Sequence, residues 1–373
     1  MPEPAPAGST QIHRLLSSGW TAPENLSLSP APSLRPVVVV GPDDSTHVLW
    51  EEDGRLFYVR SHVGAWSSPV AFASGQQPSA VLGGDGTLHV AFANEFFGQT
   101  NVYYAYLRQG IWSLPYLVSR TSGLSAYPSI ALDQTGTPHV AWADRTPGHY
   151  VIYHGWQTST WLYEPVPNAR GIAPVLVAEP GSSTLHIAWQ APNVSDDLHE
   201  IYHSQGTTYA WSLPENISAS PAAESVAVAM ACDTTGLAHI VWQEQASGNH
   251  QVRYAGGRAG FWSLPETISG QGVDAVEPAV TISQGDQLNA VWREGNTLIY
   301  RRRAGSAGAW RPSRPLIAND SGLQDPTVAT QKDGRFHMIW SGWVGASQSD
   351  VFHSLGQAAL PYQVFVPGTP VTP

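Results

Sequence analysis

Apolar residues fall along the chain in short runs, four to six residues long, broken by Gly, Pro, Asp and Ser, and no window holds a helical period. That pattern predicts strands and turns throughout. The runs also recur in a fixed order. An apolar stretch follows a proline at Pro36, Pro78, Pro128, Pro174, Pro278 and Pro326. Next comes a tetrad of the His-Val-Ala-Trp type, ending at Trp50, Phe92, Trp142, Trp189, Trp242, Trp292 and Trp340. A short aromatic segment such as Val102-Tyr103-Tyr104 follows. A Trp-Ser-x-Pro element closes the unit at Trp20, Trp66, Trp112, Trp211 and Trp262, with looser copies at Trp161 and Trp310.

The tetrad aromatics are spaced by about 48 residues on average, and each period holds four strand-like runs. Four strands per unit describe a propeller blade, whereas helical solenoids carry helices in every repeat. Seven copies therefore predict an all-β, seven-bladed β-propeller of four-stranded antiparallel blades. Before the first full repeat stands a lone fourth-strand element, Trp20-Thr21-Ala22-Pro23, and the last repeat lacks a strong one. The N-terminal segment is thus expected to complete blade seven and close the ring, which removes an exposed sheet edge. The weak run Leu360 to Val366 competes for that place. The propeller is expected over residues 11–366, between Pro-rich linkers at 1–10 and 367–373, as in a module of a larger protein.

Composition narrows the partners. The chain has 373 residues with 18 Lys+Arg against 29 Asp+Glu, a formal net charge of −11, which disfavours nucleic acid and anionic membrane as partners. A single cysteine, Cys232, excludes an internal disulfide framework and a Cys-based zinc site. No apolar run approaches the roughly 18–20 residues that span a bilayer. No cofactor or metal-binding signature occurs where its structural context would require one, so no cofactor is expected. A monomeric module is expected, and its placement outside the cell or at the cell surface rests on the linkers together with the family resemblance given below.

The loops differ between the two faces. From the strand-one proline to the tetrad His the distance is 11 residues in five repeats, with Asp-Gly-type turns between. From the tetrad aromatic to the third-strand aromatic or His it varies from 8 to 14. Variable insertions on one face of a repeat array mark its binding face. In a four-stranded blade that face also carries the connections into each first strand, so the residues just before those strands should ring the axis: Arg35, Gln77, Tyr127, Ala173, Ala227, Glu277 and Asp325. With Glu95, Phe97, Asp144, Glu244, Glu294 and Trp343 from the variable loops, they form the expected ligand-binding set. Carboxylates, amides, one Arg and rings together suit a neutral polyol.

The tetrad histidines recur on six blades, too far apart to share an ion, and both faces of a blade are covered by neighbours. They are expected to be buried and hydrogen-bonded, with Asp133 and Asp233 available across the turn to His139 and His239. The recurring tryptophans are expected to pack between blades. Trp343 has no repeat counterpart, which makes it a candidate for ligand contact. Three Asn-x-Ser sequons, at Asn25, Asn193 and Asn216, are short enough to arise by chance.

The pattern Pro-Ser-Ile-Ala-Leu-Asp-x-x-Gly-x-x-His-Val-Ala-Trp resembles the sialidase-like, BNR-repeat propellers of bacterial secreted and surface proteins, over about residues 11–366. In that family an Asp-box lies between strands three and four; here the Asp-Gly turns lie between strands one and two. The resemblance implies three arginines on a substrate carboxylate, a Tyr–Glu pair and an acidic donor. Leu34-Arg35-Pro36 is similar to its first-arginine motif, and Arg145, Arg170 and Arg293 are the candidates for the others. Two functions follow as expectations. One is a non-catalytic module that binds a glycan or protein through this face. The other is a glycoside hydrolase or polysaccharide lyase using Glu277 and Asp325 with Arg35, the carboxyl separation setting retaining or inverting chemistry in a hydrolase.

Overall fold

The computed structural model describes residues 13–357 except 16, 18, 63, 193–197, 247, 307 and 346. It is all-β, seven four-stranded antiparallel blades in a ring. The first strands, taken in order from blade 1, are Ser33–Val40, Gln76–Leu82, Ser125–Leu132, Ile172–Ala178, Ser225–Cys232, Ala275–Ser283 and Leu323–Thr330. Each is followed by the tetrad strand, a third strand and an outer strand. In blades 1, 2 and 5 the outer strand is split into two short pieces.

Blade 7 takes its outer strand from the N-terminus, as expected. Glu24 and Asn25 pair with His353 and Phe352, Trp20 bridges to Gly356, and the Thr21 N–H donates to the Leu355 carbonyl at 2.8 Å. Asn25 and Ser27 of the first sequon donate to the Asp350 carboxylate at 2.7 and 3.1 Å, so that motif is part of the closure. Upstream, His13–Leu15 adds a fifth strand to blade 6 against Ile317–Asn319, a pairing that no repeat announces. The competing run at 360–366, both linkers and Asn193 lie outside the described residues.

Both faces of the tetrad strand are covered, which is why its residues are apolar on both sides. Pro138–Asp144 is buried at every position, and all six tetrad tryptophans are at most 1% exposed. The core is a circle of clusters between blades. Trp142 packs with Ala91, Val102, Tyr104 and Val118 of blade 2; Trp189 packs with Ala141, Ile152 and Val166 of blade 3.

Each tetrad histidine is hydrogen-bonded to a ring on the third strand of its own blade. Nδ1 of His47, His89 and His239 pairs with the third-strand hydroxyl of Tyr58, Tyr104 and Tyr254 at 2.7–2.8 Å. In blades 3, 4 and 7 the partner is a second histidine, His154, His203 or His353, each at 3.0 Å. The expected Asp contact forms in blade 5, where Asp233 meets His239 Nε2 at 3.0 Å; Asp133 stands 3.6 Å from His139. The third-strand ring is in turn covered by the Trp of the next blade's outer strand: Trp112 on Tyr58, Trp161 on Tyr104, Trp211 on His154, Trp262 on His203, Trp310 on Tyr254 and Trp66 on His353. His139→Leu would leave His154 without its buried partner and should cost about 1–3 kcal/mol. Chemical denaturation measures the loss, and any ligand affinity at the axis should stay unchanged.

Candidate functional site

Each first strand carries a bulge at the same place. Its register with the tetrad strand slips between Leu34 and Val37 in blade 1 and between Gln324 and Thr327 in blade 7, and likewise in the five others. The residue inside every bulge has a left-handed backbone although none is glycine. The φ values are 48° for Arg35, 55° for Gln77, 56° for Tyr127, 51° for Ala173, 53° for Ala227, 55° for Glu277 and 52° for Asp325. A bulge re-aims a side chain, and left-handed non-glycine residues cost about 1–2 kcal/mol each. Seven such residues at one repeat position persist because the ring over-determines them.

What holds them is a circuit around the axis. The N–H of the bulge residue donates to a side-chain oxygen of the preceding blade: Arg35 to Asp325 at 3.2 Å, Gln77 to Glu51 at 2.7 Å and Tyr127 to Gln77 at 2.9 Å. Ala227 donates to Gln190 at 3.0 Å, Glu277 to Gln243 at 3.3 Å and Asp325 to Glu277 at 2.9 Å. Among the described residues, six of the seven junctions carry this bond. Sequence reasoning missed Gln190 and Gln243 and the acceptor role of Glu51. The signal was present one residue past the tetrad aromatic, where Glu51, Gln190, Gln243 and Arg293 are polar.

Charge is gathered on one side of this mouth. Arg35 donates to Glu51, and Arg293 grips Glu277 in a bidentate pair at 2.8 and 3.2 Å. Those bonds to Glu277 raise the Arg293 guanidinium above its ordinary value. Asp325 lies between the two pairs. Burial pushes its carboxyl up, and the neighbouring Glu277 adds to the rise, against the opposing Arg35 N–H. Blades 2–5 complete the ring with neutral groups: Gln77, the 39%-exposed residue Tyr127, and the small Ala173 and Ala227.

The loop residues divide. Glu95 is exposed, and Phe97, 94% exposed at the tip of its hairpin, packs against Phe96. The Trp343 ring rests against Gly322 at the edge of blade 7. Asp144 and Glu244 are buried and Glu294 is partly so. Each accepts the indole N–H of the tetrad Trp two residues before it, at 3.3, 3.3 and 2.8 Å. Asp144 also accepts from Thr121, Ser125 and Thr146. Burial alone would raise its carboxyl, but those bonds outweigh burial and hold it below its ordinary value. Of the candidate arginines, Arg293 joins Arg35 at the mouth. Arg145 lies over the Tyr150 ring, and Arg170 ends the outer strand of blade 3.

By sequence the chain matches no family profile and no curated protein. Solved structures of low identity share the fold. A polysaccharide lyase PL25 ulvan lyase bound to -[GlcA(1-4)Rha3S]- aligns over 88% of this chain and 93% of its own, with a TM-score of 0.61 at 10% identity. An α-L-arabinofuranosidase from Fusarium graminearum, in complex with an iminosugar inhibitor, aligns over 87% and 93%, with a TM-score of 0.54 at 13% identity. A mutant of the NanB sialidase from Streptococcus pneumoniae aligns over 89% and 70%, with a TM-score of 0.51 at 10% identity. The fold is thus one that carbohydrate-active enzymes use. Membership of the BNR-repeat family is not shown by these likenesses.

Proposed function

We propose that the axial mouth binds a neutral glycan without turning it over, in a module of a larger extracellular protein. The observation that carries this reading is the commitment of the carboxylates. Glu51 holds Arg35 and the Gln77 N–H, Glu277 holds Arg293 and the Asp325 N–H, and Asp325 holds the Arg35 N–H. Such groups remain good acceptors for paired hydroxyls, while their charge is already compensated by two guanidiniums. Tyr127 offers a partly exposed ring for the C–H face of a sugar, and Ala173 and Ala227, on the next two blades, leave the wall beside it low. The fold's use by carbohydrate-active proteins supports the ligand class.

Calorimetry against a panel of neutral and uronate-bearing oligosaccharides tests it. Neutral members should bind, and Tyr127→Ala should weaken them roughly tenfold or more, the equivalent of about 1.4 kcal/mol, with the circular dichroism unchanged. A second reading, a hydrolase or lyase, is favoured by Asp325, whose raised carboxyl suits a general acid. Turnover of any panel member by the wild type, abolished by Asp325→Asn, would put catalysis in place of binding.

A further inference from the structure

The strand His13–Leu15 does more than widen blade 6. In blades 1, 3, 5 and 6 the tetrad indole N–H is satisfied by a carboxylate two residues on: Glu52, Asp144, Glu244 and Glu294. Blade 7 has Gly342 at that position. The Trp340 indole donates instead to Nε2 of His13, at 3.2 Å, across the junction between blades 6 and 7. A Cβ on Gly342 would stand 2.8 Å from that nitrogen, so the glycine makes room for the imidazole. His13 is 6% exposed and its ring lies 4.1 Å from Phe352.

The same nitrogen takes a second donor. Asn319 Nδ2 lies 3.0 Å from His13 Nε2 and 3.3 Å from the Trp343 carbonyl. Both donors need an unprotonated Nε2, which places the ring proton on Nδ1. Trp343 is fixed at its other end by its N–H to the Gly322 carbonyl at 3.0 Å. The imidazole thus joins three chain segments that are distant in sequence: the N-terminal strand, the end of the outer strand of blade 6, and the start of the variable hairpin of blade 7.

We propose that His13 is a positioning residue, through which the N-terminal strand acts as a strap that orders the Trp343 hairpin on the variable-loop face. The inference does not depend on what that face binds. Hydrogen exchange on the unliganded full chain tests it, comparing wild type with His13→Ala, His13→Gln and the control Arg14→Ala, whose exposed side chain pairs with the exposed Asp320. The Trp343 amide should exchange about tenfold faster or more in His13→Ala, while tetrad amides of blades 2–5 keep their wild-type rates. A glutamine keeps an acceptor oxygen at the end of its side chain, so His13→Gln should recover much of the protection, and Arg14→Ala should change nothing at Trp343. Two results would overturn the proposal: an unchanged Trp343 rate although the strand amides of 13–15 are released, or acceleration spread evenly round the ring.

Discussion

Between pH 7 and pH 4.5 this protein should lose most of its stability through its buried histidines. Burial lowers the pKa of ten of its histidines. It falls from 6.5 to about 4 for His13, His47, His186 and His337, to about 3 for His154 and His353, and below 6.5 for His89, His139, His203 and His239. The unfolded chain binds protons at these sites near pH 6.5, and the folded one resists them. Their contribution is therefore complete above pH 6.5 and is lost as the pH falls towards 4. For one histidine moved from 6.5 to about 4, linkage at pH 5 takes away roughly 2 kcal/mol. A few such groups rival the 5–15 kcal/mol that folded domains hold.

Asp133 and Asp233 act lower. Burial would raise Asp133 and Asp233, but bonds from Thr135 and Thr235 outweigh it and hold both below 3.8, so their loss belongs to more acid solution. Urea denaturation followed by circular dichroism, repeated at half-unit steps of pH, gives the profile. A designed control is already present in blade 6, where Asn289 and Tyr300 replace the usual pair and bond at 2.7 Å. His139→Asn with His154→Tyr should make the acid limb shallower by up to two protons. Equal stability at pH 4.5 and pH 7.5 in the wild type would contradict the whole account.

The blades, their number and the closing segment were legible because a repeat writes its spacing directly into the chain. Pro128, His139, Trp142 and Trp161 recur as landmarks whether or not anything is known of their contacts. The axial positions were legible for the same reason, since Arg35, Glu277 and Asp325 share one offset from the strand-one proline. What the repeat could not convey was which groups in different blades touch. The link from the Gln77 side chain to the Tyr127 backbone joins residues 50 apart in sequence, and only the closed ring sets them side by side. His13 was invisible for a related reason: a three-residue strand has no period. Asp144, Glu244 and Glu294 have a role that their loop positions alone do not announce, since each accepts a tetrad indole N–H. The Trp-x-Asp/Glu spacing was the missed signal, since side chains two apart on a strand share a face.

Trp142→Ala should be among the costliest single truncations, at about 3–5 kcal/mol. Its ring is fully buried between blades 2 and 3, stacks on Tyr153 at 5.7 Å, and donates to Asp144. Truncation removes apolar contacts from two blades at once and opens a void that rigid strands on both sides cannot collapse into. Asp144 keeps Thr121, Ser125 and Thr146 as donors, so the loss is one of packing rather than of an orphaned charge. Trp142→Phe separates the parts, because Phe92 holds the equivalent position in blade 2 fully buried. It should cost only about 1–2 kcal/mol, for the lost indole bond and the smaller ring. Trp343→Ala, at the edge of blade 7, should cost less than Trp142→Ala by a clear margin. Urea titrations at pH 7.5 rank the three. If Trp142→Ala unfolds within 1 kcal/mol of wild type, the tetrad rings are not what joins blade to blade, and the chain of third-strand rings and outer-strand tryptophans must carry that load instead.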